Sequence, residues 1–530
     1  MSCSNLGARK HRNIREHLFV INAIINDVCN SKDNQEIDIQ LYDVAKCFDK
    51  LEYTNTAIDF FNAGVQDDKF VLVSNSNKSC DVAIKTPFGL TERTTFSNIE
   101  MQGTVLAGLK CSISIDSIGK ETLQNKHQRL YRYKNSVSIP PLSFIDDIIN
   151  VAYCSPDSVK ACATTKAKIA GKQLELGSKK CFQIHVGKPN SQCSTTLKIN
   201  DTKMQKASSE RYLGDIISAD NKRDIHINDR YNKGISYVNQ ILSILKEISF
   251  GFYYFEQAMQ LRNAKLINGI LCSVEALYGL TSAHIEKLER CDSYFFRKIF
   301  NAPITTPTES FYLETSALPI RFVIIGRRLL FYWNILNKPE SELIKQVYRT
   351  QKLRPVRNDW CSTIAEDLKN AEIDLTETEI ASMKKSTFKS LVNQKIKECA
   401  ERYLLGLRQK HSKSKELRYS NSMQKYLVSN SLSTQEKQLL FSFRSHTYQC
   451  KANYSYIYGT NLQCNHCTEI DNQQHLLNCK LVEGINLNGS KYSDIFGSID
   501  AQTKIIKVLK QVTDKRKNTS SISGSQAHLS

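Results

Sequence analysis

Long hydrophobic runs are missing from this sequence. The longest, such as Leu18 to Ile21 and Phe322 to Ile325, fall far short of the ~18 to 20 residues a membrane span needs. The N-terminal stretch MSCSNLGARKHRN has no apolar segment of the secretory kind, so an intracellular protein is expected. There is no internal repeat and no long low-complexity segment. Acidic residues are in deficit, with 53 Asp and Glu against 72 Lys and Arg, leaving a net charge of +19. A surplus of that size favours a polyanionic partner, because each neutralised phosphate releases counterions; a membrane surface or an acidic protein is the alternative. The 17 cysteines are odd in number and scattered. Without a disulfide framework most are expected to be reduced thiols or small buried side chains.

What is present is the balance of a soluble globular protein, 41% hydrophobic and 24% charged over 530 residues, enough for two to four domains. Residues 13–30 place Ile14, Leu18, Ile21 and Ile25 on one helical face. EIDIQLYD at 36–43 alternates, so Ile37, Ile39 and Leu41 share a face with Asp43, as in a half-buried strand. A helix is expected from Thr54 to Gly64, short strands over 80–99 about a Pro-Phe-Gly turn, and a helix over 104–119. LSFIDDIINVAY at 142–153 predicts a hairpin with Asp146 and Asp147 at its tip. Ser155-Pro156 starts a helix of about twenty residues that Gly177 stops, and FQIHV at 182–186 is a strand. From about 225 to 420 the chain turns helical and basic. Its stretch 384–418 carries Lys384, Lys385, Lys389, Lys395, Lys397, Arg402, Arg408, Lys410, Lys413, Lys415 and Arg418, either a solvated face or a nucleic-acid contact. The polar last ~15 residues read as disordered. The whole reads as α+β, not a doubly wound sheet.

Asp43, Asp146 and Asp147 are the residues that can carry chemistry. Singly, each is ordinary: an Asp ends many strands, and an Asp pair usually marks a solvated turn. Gathered at strand ends of one sheet, acids need a counter-charge, and Mg²⁺ suits, binding one or two carboxylates together with substrate phosphates. Two such ions clamp the attacking and leaving oxygens of phosphoryl transfer.

These residues lie in a set of boxes that resembles the reverse transcriptases of non-LTR (LINE-like) retrotransposons. DVAKCFD at 43–49 resembles motif A, MQGTVLAGLKCSISIDSIGK at 101–120 motif B, FIDD at 144–147 motif C, and ELGSKKCFQIHVGK at 175–188 the motif D to E region. ERYLGDIIS at 210–218 resembles the segment that follows in these elements. The order matches, with about 60 residues from A to B and about 45 from B to C. The resemblance implies a right-hand polymerase palm that copies RNA into DNA from dNTPs. Asp43 and Asp146 would hold two Mg²⁺ ions, Asp147 would support them, and the Val44 carbonyl would face a metal. Phe48 would be the steric gate against a ribose 2′-hydroxyl, or else a plain core ring. Gln102 and Gly103 would lie under the incoming nucleotide and template base. Lys180 would stand near the pyrophosphate leaving group, or else be a surface lysine. FIDD in place of the Gly-Asp-Asp of many viral RNA-copying polymerases, together with Phe48, favours DNA synthesis on an RNA template.

Near the C-terminus, CNHCTEIDNQQHLLNC places Cys464, Cys467, His475 and Cys479 at a spacing that suits one tetrahedral structural Zn²⁺, with His466 as a competing ligand. The lead-in FSFRSHTYQCKANYSYIYG at 441–459 resembles the C-terminal region of many non-LTR proteins, although three residues rather than the usual four separate the His from the last Cys. Such modules grip single-stranded nucleic acid by stacking and base-edge contacts.

The expected organisation is therefore partial fingers at 1–35, a reverse-transcriptase palm at 36–200, a thumb-like helical region at 201–345, a basic helical connector at 346–455, the CCHC module at 456–485, and a C-terminal helix with a disordered tail at 486–530. Members of the family carry larger fingers and usually an upstream endonuclease; here the match starts near NIREHLFVIN, so a 5′-truncated copy is expected. Arg12 and Arg15 would be remnants of triphosphate-gripping residues or ordinary surface charge. No Arg/Lys-Pro-Asp nuclease box follows Cys479, and RPVRND at 354–359 only approximates one. The partners implied are an RNA template, a DNA primer or target, and dNTPs, in nucleus and cytoplasm, with no membrane. The alternative is a catalytically inactive truncated copy that only binds nucleic acid. ERYLGDIIS and the CCHC module argue against a group II intron maturase or a telomerase-like enzyme.

Overall fold

The computed structural model describes residues 5–7, 9, 12–30, 35–75, 80–96, 106–124, 130–187, 195–247, 251, 253–487 and 489–522. The chain mixes helix and sheet, with the strands confined to residues before Ala219 among those described and helices dominating thereafter.

The alternation at 36–43 gives strand β1 (Ile37–Asp43), which is the centre of a five-stranded sheet. The hairpin that carries Asp146 and Asp147 supplies β2 (Leu142–Phe144) and β3 (Asp147–Tyr153). Beyond them come β4 (Phe182–Val186) and β5 (Gln205–Ala207), in the spatial order β5-β4-β1-β3-β2. β1 runs antiparallel to both neighbours, with Ile39 opposite Ile184 on one side and Val151 on the other.

The sheet is covered on both faces, which corrects the half-buried expectation for β1: all of Ile37 to Tyr42 is buried. On one face Ile37, Ile39, Leu41, Ile149, Val151, Ile184 and Val186 join a core with helix α1 (Ile14–Asn30). The other face is polar yet covered by helix α3 (Asp157–Gly171), because hydrogen bonds satisfy it. Gln40 Nε2 donates to the Ser158 carbonyl at 2.8 Å, Tyr42 OH to Gln40 Oε1 at 2.6 Å, and Asn150 Nδ2 to Thr165 Oγ1 at 2.7 Å. Helix α2 (Ala107–Gln124) runs beside β2 and continues past Gly119, where the sequence predicts a stop. Helix α3 ends at Gly171 rather than Gly177, because Glu175 and Leu176 pair with the exit of β1: Ala45 N donates to the Glu175 carbonyl at 2.8 Å, and Val44 bridges Leu176.

Helix α1 is buried nearly all round, from Glu16 to Val28, rather than along one stripe. Its polar residues are paired: Glu16 with Arg12 at 3.1 Å and Lys338 at 2.9 Å, Asp27 with Lys134 at 3.0 Å, and Asn22 with the Ala276 carbonyl at 3.3 Å. Phe19 meets Trp360 and Phe331 edge-on, so the first core extends from the sheet through residues 322–400 and crosses the positions 200 and 345 marked as boundaries above.

A second core joins residues 227–324 to 404–512 around the stacked rings of Phe296, Phe311 and Phe441. It includes α4 (Asp224–Glu247), α5 (Ser282–Phe300), α8 (Thr434–Arg444) and α9 (Ile499–Ile522), while α6 (Ile320–Leu336) and α7 (Lys385–Lys410) lie between the two cores. Two buried ion pairs lock it, Arg262 with Asp292 at 2.5 Å and Arg444 with Glu314 at 2.9 Å. Helix α9 continues to Ile522, so Lys515 to Ile522 is helical where the sequence reads as disordered tail; its inward Ile505, Leu509 and Val512 anchor it to the second core. Among the described residues no helix is long and apolar enough to cross a membrane.

Candidate active site

The hairpin β2–β3 turns over two residues, Ile145 and Asp146, with Phe144 opposite Asp147. Ile145 sits at φ +61°, a left-handed conformation that a β-branched side chain resists, so the turn stores strain of order 1–3 kcal/mol. Residues 5–7 press on it from outside. Leu6 N donates to the Ser143 carbonyl at 3.1 Å, and a Cβ on Gly7 would lie 2.5 Å from Ile145 N. Asn5 Nδ2 reaches across to the Ser112 carbonyl of α2 at 2.6 Å. Nothing in the sequence marks Asn5 or Gly7, since both act through contacts more than a hundred positions away.

The register then puts Asp43 directly opposite Asp147. Cross-strand partners have Cβ atoms about 4.5–5.5 Å apart, and like charges so placed repel. Asp146 adjoins them in the turn. Burial first, then the charges of Asp146 and Asp43, push Asp147 up to about 6, against the pull of Lys180. Burial likewise raises Asp146, with Asp43 adding to it. The three carboxylates do not crowd into one group with oxygens all within 4.8 Å of one another.

Lys180 lies on the turn before β4 and brings Nζ to 3.6 Å from Asp43 Oδ1, while its side chain stays 74% exposed. Gly177 opens this approach: its N–H donates to the Asp43 carbonyl at 2.9 Å, and a Cβ there would stand 3.0 Å from Asp43 Oδ2. Val44 is buried and pairs with Leu176. Phe48 is half-buried, packed on a cluster that includes Tyr42, Val44, Cys47, Leu51, Cys111 and Ile148. Cys47 and Cys111 have sulfurs 3.1 Å apart, so the segment carrying Phe48 rests on helix α2. Gln102 and Gly103 lie outside the described residues. Arg12 bonds to Glu16 and Glu342, and Arg15 reaches Glu275 at 3.4 Å, so both are engaged with glutamates. The donor set of three partly buried carboxylates suits a hard divalent cation, which would offset both the burial that chiefly raises Asp146 and Asp147 and the repulsion that adds to it.

The second cluster is Cys464, Cys467, His475 and Cys479, whose donor atoms all lie within 4.8 Å of one another. Cys467 Sγ is 3.0 Å from His475 Nε2 and 3.9 Å from Cys479 Sγ, and Cys464 Sγ is 3.7 Å from Cys479 Sγ. A tight loop shapes the first pair: Gln463 bridges Ile470, and Cys464 N donates to the Glu469 carbonyl at 2.8 Å. His475 N is held by Asn472 Oδ1 at 2.8 Å. His466 is not part of the group. Burial opposes ionisation of Cys464, but the His466 backbone and the neighbouring donors bring its thiol down to about 7, while Cys479 is pushed up, so one thiolate forms first. Three thiols and one imidazole at these distances form a donor set that fits Zn²⁺.

On α7, Phe388, Val392, Ile396, Cys399 and Leu404 face inward. Lys384, Lys385, Lys389, Lys397, Arg402 and Lys410 are exposed to solvent.

No family model matches the sequence, and no curated protein matches it. Among solved structures, the chain is similar to telomerase from Candida albicans in complex with a TWJ fragment of telomeric RNA, at 12% identity over 57% of this chain and 52% of that one, with a TM-score of 0.30. It is also similar to apo telomerase from Candida tropicalis, at 12% identity over 74% and 58%, with a TM-score of 0.33. The chain thus spans somewhat more than half the length of each.

Proposed function

We propose that this chain is the reverse-transcriptase portion of a non-LTR retrotransposon protein, an RNA-directed DNA polymerase that extends a primer 3′-hydroxyl by nucleotidyl transfer. The observation that carries the reading is the pairing of Asp43 with Asp147 across adjacent strands, with Asp146 in the turn beside them. In this reading Asp43 and Asp146 hold two Mg²⁺ ions, with Asp147 and the Val44 carbonyl beside them. Bound Mg²⁺ would supply charge neutralisation at the α-phosphate and activation of the primer hydroxyl.

The remaining steps belong to the protein. Lys180 has a long stem with its ammonium exposed, so it can follow the pyrophosphate as it leaves. Phe48, fixed by the cluster beneath it, excludes a ribose 2′-hydroxyl and so selects dNTPs. Gln102 and Gly103 support the nucleotide and the template base. The zinc module and the exposed basic residues of α7 grip RNA and DNA, and the protein acts in target-primed synthesis at a nick made by a separate endonuclease. It works in nucleus and cytoplasm as a ribonucleoprotein.

The net charge of +19 supports a second reading, a nucleic-acid-binding protein without catalysis. Primer extension on an RNA template with Mg²⁺ separates the two. Replacing Asp146 and Asp147 together by Ala should cut incorporation about a thousandfold, since the lost charge stabilisation is worth several kcal/mol. Equal incorporation in both proteins would defeat the enzyme. No incorporation in either, with RNA bound equally by both, would establish the second reading.

A further inference from the structure

The far end of the central sheet carries another set of metal donors. Glu36 precedes β1 and Asp43 ends it; seven residues at about 3.3 Å each put the two roughly 20 Å apart. At this far end Ile37 pairs with Tyr153 and with Val186, and the Glu36 carbonyl accepts the Cys154 N–H at 3.1 Å. Cys154 therefore stands across from Glu36, and His185 across from Asp38. Directly paired residues share a face of a sheet, so these four side chains rise from the same side. Cys154 Sγ is 3.3 Å from His185 Nδ1, Asp38 Oδ1 is 3.3 Å from the same nitrogen, and Glu36 Oε2 is 3.9 Å from His185 Nε2. One donor atom each from Glu36, Cys154 and His185 lie within 4.8 Å of one another.

We propose that Glu36, Cys154 and His185 form a second zinc site, separate from the Cys₃His module. A thiolate and an imidazole exclude Mg²⁺ and Ca²⁺ as preferred ions and suit Zn²⁺, with the carboxylate as third ligand and a fourth position for water. Glu36 is 42% exposed and gives the ion a way in from solvent, while Asp38 is fully buried beside the His185 ring. A nucleophilic Cys-His-Asp relay is the competing chemistry, and the geometry opposes it. Such a relay uses the two different ring nitrogens, whereas Cys154 and Asp38 both approach Nδ1. A zinc ion here staples β3 and β4 to either side of β1 and so braces the sheet from the end opposite its acids.

The test is metal counting on the full chain. After exchange against Zn²⁺ and removal of loose metal, elemental analysis should find two zinc ions per wild-type chain, and one in Cys154→Ala. Cobalt(II) in a chain carrying Cys464→Ser, Cys467→Ser and Cys479→Ser should give tetrahedral visible bands with a single-thiolate charge-transfer band, lost when Cys154→Ala is added. Since a substitution inside the sheet can unfold it, Glu36→Gln at the exposed rim is the second variant. With an unchanged circular dichroism spectrum it should bind the second zinc about tenfold more weakly. One zinc in the wild type, two retained in Cys154→Ala, or unchanged affinity in Glu36→Gln would each overturn the proposal.

Discussion

Asp147 is held where burial and two neighbouring carboxylates all oppose its ionisation, and that has a consequence for stability. Its value in the folded chain is about 6, above the 3.8 of an unhindered Asp, so the folded state takes up the proton more readily than the unfolded state does. The favourable contribution is complete below about pH 4 and is lost as the pH rises through 6. Above that, the ionised site costs the fold about 1–2 kcal/mol, once the solvent that reaches it is allowed for. Asp147→Asn should therefore stabilise the metal-free chain by about 1 kcal/mol at pH 7.5 and leave it unchanged near pH 4, read from urea midpoints at the two pH values. A variant no more stable than wild type at pH 7.5 would show that the acids do not strain one another. The three acids are legible in the sequence only as a set: each is ordinary alone, at a strand end or in a turn, and their place in the ordered boxes singles them out. Gly7, Asn5 and Gly177 are not legible. Their roles, backing the turn at Ile145 and leaving room for Asp43 Oδ2, exist only through contacts made when distant segments meet.

The same contrast recurs in the elements. Alternation marks β1 and β4 to within a residue, because strand periodicity is a local property. It does not reveal that the polar face of β1 is also buried, since Gln40 and Asn150 look like surface residues until Ser158 and Thr165 of α3 arrive to bond them. The end of α3 is likewise set by a partner, the exit of β1, and not by the glycine at 177. The hairpin over 209–218 is the clearest case. Its turn at Leu213–Gly214 is local, with both residues at positive φ, but it docks onto α4 through Asp229 and Arg230, which bond Arg211 and Asp215, and through His226. His226 Nδ1 accepts the Ile216 N–H at 3.3 Å. Burial, then Arg230 and Arg223, lower His226 to about 3, so it is neutral in the fold and must gain a proton on unfolding in acid. Its contribution is intact above about pH 6.5 and fades as the pH falls toward 3, up to about 4 kcal/mol in all. Asp215, 3.9 Å away and raised to about 6 chiefly by burial, works in the opposite direction. The informative quantity is thus the difference between wild type and His226→Gln, which should shrink by about 2 kcal/mol or more between pH 6.5 and 4.5 in urea unfolding. A constant difference across that range would rule out a buried neutral imidazole.

At the scale of the whole molecule, two cores meet along α6 and α7, and each contains one of the two sites the sequence singles out. The acids belong to the sheet, whereas the Cys₃His group is built into the helical core: Leu476 and Leu477 pack with Phe441, Phe443, Ile505 and Leu509. Arg516 of α9 bonds Asp471 and lies 3.9 Å from Cys464 Sγ, which ties the last helix to the cluster directly. Ligand spacing makes such a module readable in sequence, but not its attachment to the last helix, which forms only when the segments meet. Three thiols and an imidazole within 4.8 Å of one another form the donor set of a tetrahedral zinc ion. A structural zinc ion supplies folding free energy of order 10 kcal/mol to small isolated modules, and some of that should be felt here by every element packed on the cluster. Removing the metal with a chelator should therefore loosen residues 462–482 and α9 first, with amide exchange at least about tenfold faster there. The strands β1, β3 and β4, whose core shares none of those side chains, should keep their protection. Because a second ion on the sheet would blur that contrast, the measurement is best made in the Cys154→Ala chain. Exchange that stays unchanged over 462–482 after elemental analysis has shown the metal gone would mean that packing alone holds the module, and that its four ligands serve something other than the fold.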